Sequence, residues 1–570
     1  LFSPAPIVPA EKMEDPDYID YNFEPLLLHK FSQFGPGVAV GDANGDGLDD
    51  YYVAGSSPHK GKLFLQTSEG NFRLSPAELP TNPEQEELGA VFFDVDQDGD
   101  QDLYITSGSN QFHKTNPLYK DILLVNENGS FRNVSDQLNL PLASSSCVRA
   151  ADVDRDGDID LFVGGRVLPD EYPLPVSSFL LINESTPGSI RLEVANEKLA
   201  PELNELGLVC DALWTDYNSD GWADLVIAGE WMPVTIFKNE KGQLKKLSGD
   251  TGLEAFTGWW NSIASADFDQ DGDLDYVVSN FGKNASVRAS QELPVEIYAK
   301  DFDDNGGLDA IPFVPFKNQE GKLQKYSFHG RADLAKEMNK IKKMFPSHQQ
   351  IGIAPMDSIL SESDREGAYV LKATTFESSY IENLGNGQFK VRPLPLEAQV
   401  APVFGILAED FDDDGYTDIL LAGNDFGIQP TLGRMDALNG LFLKGDGAGH
   451  FTPLSMAESG FYVPGNAKAI ASLFVGRQRA VIVSQNNDVL LGFRYGEEAQ
   501  VFVPESDDCR MAFIGEDDEK IGARELFYGN GFLSQSSRKT AVPTGTKKVT
   551  ITKYNGKERT VILTGPAHLQ

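Results

Sequence analysis

Short apolar runs separated by polar turns fill most of the chain, and they recur with one rhythm. Runs such as GVAVGD, AVFFD, SIASAD and GILAED each lead into an acidic turn. A second run follows each turn: DYYVAG, DLYITSG, DLFVGG, DLVIAG, DYVVSN or DILLAG. Their shortness and their Val, Ile, Tyr and Phe content predict strands rather than helices. Third runs (KLFLQ, DILLVN, FLLIN, VTIFKN, GLFLKG) and fourth runs (NGSFRNV, NGQFKVR, AGHFTPL) complete a four-stranded meander of roughly fifty residues. Meanders of this size, repeated along a chain, predict an all-β fold of propeller blades.

The acidic turns begin at Asp42, Asp94, Asp152, Asp216, Asp267, Asp301 and Asp410. Two intervals break the rhythm: 34 residues from Asp267 to Asp301, and 109 from there to Asp410. Treating residues 284–375 as an insertion between strands two and three of the fifth blade restores it. Strand three then resumes at SSYIENLG and strand four at GQFKVRPLP. The insertion is expected to be partly helical, because DLAKEMNKIKKMF places Leu334, Met338, Ile341 and Phe345 on one helical face. A last meander, AKAIASLFVGRQRAVIVSQNNDVLLGFRYG, has no acidic turn and lacks a fourth strand. The N-terminal DYIDYNFE is expected to supply that strand and close the ring. The reading is a seven-bladed β-propeller over residues 1–498 and a β-rich C-terminal domain over 499–570. An eight-bladed ring, with the Asp301 unit as its own blade, is the alternative.

Charge changes the picture. Among 570 residues, Asp plus Glu number 86 and Lys plus Arg 48, a formal charge of −38. That field repels phosphate backbones and argues against nucleic-acid partners. It attracts cations, and the acid is concentrated in the turns, which all fit D-x-[DN]-x-[DN]-G-x-x-D. Calcium takes six to eight hard oxygen ligands. Positions 1, 3, 5 and 9 supply them: Asp42, Asn44, Asp46 and Asp50; Asp94, Asp96, Asp98 and Asp102; Asp152, Asp154, Asp156 and Asp160; Asp216, Asn218, Asp220 and Asp224; Asp267, Asp269, Asp271 and Asp275; Asp301, Asp303, Asn305 and Asp309; Asp410, Asp412, Asp414 and Asp418. A backbone carbonyl at position 7 completes the shell, and Gly at position 6 permits the chain reversal. An EF-hand is excluded, because position 12 holds Val53, Ile105, Val163, Ile227, Val278, Pro312 or Leu421 where that motif needs Glu. Several like charges within a few ångströms repel without a metal. The expected cofactor is therefore Ca²⁺, about seven structural ions. The Asn-containing turns at Asp42, Asp216 and Asp301 are expected to bind more weakly than the all-Asp turns.

The remaining chemistry is sparse. Cys147, Cys210 and Cys509 cannot form a full disulfide framework, and a Cys147–Cys210 bridge stays open beside three buried thiols. No apolar run is long enough for a transmembrane helix. The first residue is not Met, which reads as a mature or trimmed product or part of a longer chain. None of the seven His has metal-ligand spacing and no nucleophile or phosphate-loop motif stands in proper context, so the expectation is a non-enzyme. The alternative is a carbohydrate-active lyase or glycosidase. In a meander the acidic turns share one face of the ring, while the long strand 2–3 loops and the insertion share the other. Function usually sits on long loops held by a rigid scaffold. Asn110, Arg166, Glu230, Asn280 and Asn424 are expected to ring that second face, beside Trp231, Trp259 and Trp260. Amides beside aromatic rings suit a sugar or peptide ligand. The same tryptophans also read as inter-blade packing.

The repeats resemble FG-GAP/VCBS repeats, the blades of integrin-α-type and many bacterial extracellular propellers. The C-terminal stretch from Arg524, with Gly-Phe-Leu-Ser-Gln-Ser-Ser at Gly531 to Ser537, resembles the ASPIC/UnbV domain that follows such propellers. It departs from that pattern at Val542, where Val-Pro-Thr-Gly stands for a Phe-Gly-Leu-Gly-like turn. The resemblance implies an extracytoplasmic protein of a Gram-negative cell surface, outer membrane or periplasm. Fold kinship alone does not give function; the expectation is a recognition or assembly module for a glycan or protein partner, with a subunit of an outer-membrane nutrient-uptake complex as a further reading.

Overall fold

The computed structural model describes residues 1–9, 12–15 and 18–563. Seven sheets repeat one antiparallel order. The first sheet joins Val38–Gly41, Asp50–Val53, Lys62–Gln66 and Phe72–Leu74 in chain sequence. The next five repeat that pattern, starting at Glu87–Phe93, Ser144–Ala151, Leu208–Thr215, Ile263–Ala266 and Val403–Glu409. The seventh runs Ala467–Val475, Gln478–Gln485, Leu491–Glu498 and then Phe2–Pro4. The first strands touch one another in order around the ring, and Ala467–Val475 meets Val38–Gly41 to complete the circle. These inner strands are almost wholly buried, so apolar clusters fill the spaces between successive sheets.

The closing strand comes from the N terminus but not from the expected segment. Phe2–Pro4 pairs with Phe493–Tyr495, and the Phe2 ring packs against Phe411, Phe461 and Tyr495. The strand is short, and its one buried aromatic side chain anchors it. Of DYIDYNFE, Asp17 lies outside the described residues, and Asp20–Asn22 forms a single 3₁₀ turn. Asp20 accepts hydrogen bonds from Phe31 N, Ser32 N and Ser32 Oγ, so it ties a loop rather than a ladder.

In the fifth sheet the second strand (Asp275–Val278) pairs with Ser379–Asn383, and the residues between form a separate layer. That layer has its own sheet, ordered Leu323–Ser327, Asp309–Lys317, Val295–Lys300 and Tyr369–Ala373. Its Tyr369–Ala373 edge packs on Asp224–Pro233 and Thr257–Trp259, outside the circle of inner strands. The single helix expected here is two, Arg331–Glu337 and Lys340–Met344, because Met338 leaves helical geometry at φ −104° and ψ 103°. Leu334, Met338, Ile341 and Phe345 are all buried together, so the apolar spacing survives the break. Three further short helices, His348–Gly352, Met356–Ile359 and Glu362–Arg365, have too few residues to show a period in sequence.

The C-terminal residues form a four-stranded sheet of Lys520–Glu525, Asp508–Ile514, Lys548–Lys553 and Glu558–Ile562. Between its strands the chain leaves the sheet and enters the ring. Ser534–Gln535 pairs in parallel with Val38 and Ala39, and Gln535 exchanges two side-chain hydrogen bonds with the backbone of Phe92. Arg149, fully buried and ion-paired with Asp211, donates to Gly531 O at 2.6 Å. The Phe532 ring lies 5.1 Å from Phe404 and 6.4 Å from Phe34, so segments from both chain ends meet in the centre.

Candidate functional site

All seven acidic turns fold alike. Position 6 is a glycine at positive φ in each, from 80° at Gly47 to 105° at Gly157. Position 4 also lies in the left-handed region, and six of its occupants are not glycine: Gln97, Arg155, Ser219, Gln270, Asp304 and Asp413, at 56° to 65°. Local hydrogen bonds hold that conformation. The position-5 oxygen accepts from position 7 N in every turn, at 2.7–3.1 Å. The position-1 carboxylate accepts from the position-6 glycine, as in Gly47 N to Asp42 at 2.8 Å.

The ninth residue behaves differently from the others. Asp50, Asp102, Asp160, Asp224, Asp275 and Asp418 have no solvent exposure. One oxygen of each accepts the N–H of a residue at or next to the end of the third strand: Gln66, Asn126, Asn183, Asn239, Asn383 or Gly445. In four of the six, and in the Asp309 turn, the other oxygen accepts the position-2 N–H. Position 9 therefore clamps the turn to the sheet as well as offering a ligand atom.

The third-strand amides are functional residues that the sequence reading passed over. Asn183 Nδ2 donates to Ile159 O in its own turn at 3.2 Å and to Val95 O in the preceding turn at 2.9 Å. Asn126, Asn239 and Asn383 repeat this bridge, and Gln66 makes it to Phe474 O of the seventh sheet. The signal was the recurring Asn or Gln at the end of LFLQ, LLVN, FLLIN, IFKN and YIEN. Position 4 adds a second link: Gln97 reaches Gly157 O, Arg155 reaches Gly221 O and Gln270 reaches Gly415 O.

The donor sets fit a hard cation. Ligand oxygens of Asp94, Asp96 and Asp102 lie within 4.8 Å of one another, as do those of Asp152, Asp154 and Asp160. The same holds for Asp267, Asp269 and Asp271, for Asp301, Asp303 and Asp309, and for Asp410, Asp412 and Asp418. Each of these five groups holds one buried carboxylate oxygen without a hydrogen-bond partner: Asp96, Asp152, Asp267, Asp303 and Asp412. Burial, reinforced by neighbouring carboxylates, pushes Asp50, Asp102, Asp152 and Asp275 up to about 7, even though backbone N–H groups pull them down. A bound cation removes that penalty. In the Asp42 and Asp216 turns Asn44 and Asn218 occupy position 3, and their Oδ1 atoms accept from Asp46 N and Asp220 N.

On the opposite face the structure places the expected ligand residues under cover. Asn110, Arg166, Glu230, Trp231, Trp259, Trp260, Asn280 and Asn424 are all buried, and the chain's own groups occupy them. The N-terminal segment lies over this face, with Leu27, Leu28, Phe31 and Phe34 packed into the cluster that holds Trp231 and Trp259. His29 Nε2 lies 3.1 Å from a Glu230 oxygen, Arg166 donates to Glu230 at 2.8 Å, and Tyr172 OH donates at 2.7 Å. Burial alone raises Glu230, but His29, the Arg166 guanidinium and the Tyr172 hydroxyl override it and hold the carboxyl down to about 2. Asn110 donates to Glu24, Asn280 to Thr375 O, and Asn424 to Leu438 O and Gly465 O. Trp260 packs apart from them, between the fourth and fifth sheets. Arg166, Glu230, Trp231 and Trp259 come together around the N-terminal segment rather than around an open funnel. Exposed apolar residues of this segment include Ile19 and Phe23, the latter at 67% and stacked in parallel on Tyr18 at 5.4 Å.

Cys147, Cys210 and Cys509 are buried free thiols. No helix among the described residues is long and apolar enough to cross a membrane.

Comparisons with known proteins bear on the turns. A family model described as an FG-GAP-like repeat matches residues 42–105, 94–163 and 216–278. Cartilage acidic protein 1 of Xenopus tropicalis is 25% identical over 335 residues, covering 51% of this chain and 49% of that protein. The chain thus spans about half the length of that curated relative. Among solved structures, the V. cholerae biofilm matrix protein Bap1 aligns over 94% of this chain and all of its own, with 13% identity and a TM-score of 0.32. Saccharomyces cerevisiae Sqt1 aligns over 83% of this chain and 99% of its own, with 12% identity and a TM-score of 0.38.

Proposed function

We propose that this chain, which carries FG-GAP-like repeats, is a calcium-stabilised, seven-bladed propeller that serves as an extracytoplasmic recognition or assembly module rather than an enzyme. One observation carries the calcium reading: five turns each gather three carboxylates and leave one buried ligand oxygen unpaired. A hard divalent ion satisfies all of them at once. Sites of millimolar to micromolar affinity stay filled outside a calcium-poor cytosol, which supports an extracytoplasmic home, at the surface or in the periplasm. The C-terminal residues act in this reading as an ASPIC/UnbV-like module whose Gly531–Ser537 segment locks the ring from within.

The partner is a glycan or a protein, engaged on the face away from the turns. The segment from Tyr18 to Phe34 closes that face, so its exposed Tyr18–Phe23 stack and the surrounding loops form the contact surface. A flat aromatic stack suits a sugar ring or a peptide side chain. The test is an array of polysaccharides and envelope peptides probed with calcium-loaded protein and with Phe23→Ala. Binding that Phe23→Ala reduces at least about tenfold, an aromatic contact's worth, supports the reading. Binding untouched by Phe23→Ala removes the site from this face, and turnover of an arrayed polysaccharide makes the protein an enzyme.

A further inference from the structure

The acidic turns differ in a side chain that the turn itself does not contain. The N–H bond to the ninth Asp fixes the register of the third strand at Gln66, Asn126, Asn183, Asn239, Asn383 and Gly445. The residue just before is Leu65, Val125, Ile182, Lys238, Glu382 and Lys444 respectively. The aliphatic three bring no charge to their turns. Lys444 does: its ammonium pairs with Asp412 and lies 2.8 Å from Asp414 Oδ2, the third and fifth ligand positions of the Asp410 turn. Lys238 does the same at longer range, 3.5 Å from Asp220, the fifth position of the Asp216 turn.

We propose that Lys444 is a tethered cation that competes with the metal at the Asp410 turn, with Lys238 a weaker competitor at the Asp216 turn. The inference rests on the calcium reading of the turns. A divalent ion and an ammonium both need the lone pairs of Asp412 and Asp414, so the metal enters only as Lys444 leaves. The lysine side chain is 37% exposed and free to swing outward. The second Asp412 oxygen remains buried and unpaired, so the turn keeps its capacity for a metal. Even when displaced, the ammonium stays tethered near a +2 ion and repels it. The Asp410 turn is further held without metal by Arg479, which pairs with Asp413 at 2.6 Å and donates to Asp410 O at 3.2 Å. Its four Asp ligands rank it among the strongest sites by composition, and Lys444 reverses that rank. At low calcium this turn keeps its shape on internal cations while the Asp94 and Asp152 turns depend on the metal.

The test is calcium titration of metal-stripped full-length protein by calorimetry, with thermal unfolding read in parallel. Wild type is expected to show one site clearly weaker than the other all-Asp sites. Lys444→Met should tighten that site about tenfold, the scale of one nearby unit charge in a partly solvated setting, without changing the number of sites. Lys444→Arg keeps the charge and should leave the isotherm unchanged, and Lys238→Met should give a smaller gain. Lys444→Met with unchanged affinities, in protein that still binds several ions, overturns the inference and leaves the calcium reading intact. Should Lys444→Met fail to fold, Lys444→Gln replaces it with the same expectation. Wild type that binds no calcium overturns both.

Discussion

The two faces of the ring solve the problem of buried charge in opposite ways. On one face the same nine-residue turn recurs and crowds carboxylates, with cations reaching it at Lys444 and Arg479 in the Asp410 turn, Lys238 in the Asp216 turn and Lys539 beside Asp49 in the Asp42 turn. On the other face Glu230 is surrounded by Arg166, His29 and the Tyr172 hydroxyl, while burial pushes Glu24, beside Asn110, up to about 8. The first face holds ligand oxygens with no partner, and burial pushes Asp50 and Asp102 there up to about 7. On the second, Glu230 is held down to about 2. The chain's own N-terminal segment covers the Glu230 end.

Substitutions sharpen the contrast, the largest first. Glu230→Gln leaves the Arg166 guanidinium buried without its counter-charge and should cost about 3 kcal/mol in denaturant unfolding. Because the folded carboxyl lies below its ordinary value of 4.5, its contribution is present above that pH and fades as pH falls toward about 2. Glu230→Gln should therefore flatten the wild-type loss of stability across that window. An unchanged acid limb contradicts the self-neutralising picture. Asn183→Ala removes the bridge between the second and third turns and strands two buried carbonyls, for about 2 kcal/mol. That loss should persist with calcium bound, since the bridge is made by the amide and not by the metal. A loss seen only in chelator ties the amide to the ion instead.

The repeated parts were readable from sequence because repetition multiplies a weak local signal. Strand order, the turn motif and the interrupted fifth meander all follow from recurring residue types at fixed offsets. The parts made once were not readable. Phe2–Pro4 is a three-residue strand with a single buried anchor, too short to show alternation. The Tyr18–Phe34 cover has no period, and its role rests on contacts with Glu230 and Gly427, some 200 and 400 residues away in sequence. The polar ring of Asn110, Arg166, Glu230, Asn280 and Asn424 was found by its register just past strand two, but what fills it was not. Polar residues around a channel look the same in sequence whether a ligand or the chain's own end satisfies them. Gly531–Ser537 shows the same limit: its small residues suit the crowded ring centre, yet only the structure reveals that they go there.

The most direct test of the central claim is thermal unfolding with and without a calcium chelator, with metal content measured on the same protein. The account predicts several bound calcium ions per chain and a fall in Tm of about 10 °C or more on chelation, as loss of multiple linked sites requires. Protein that holds no calcium and melts at the same temperature in chelator would mean that the acidic turns neutralise themselves, as the Glu230 face does, and would contradict the account.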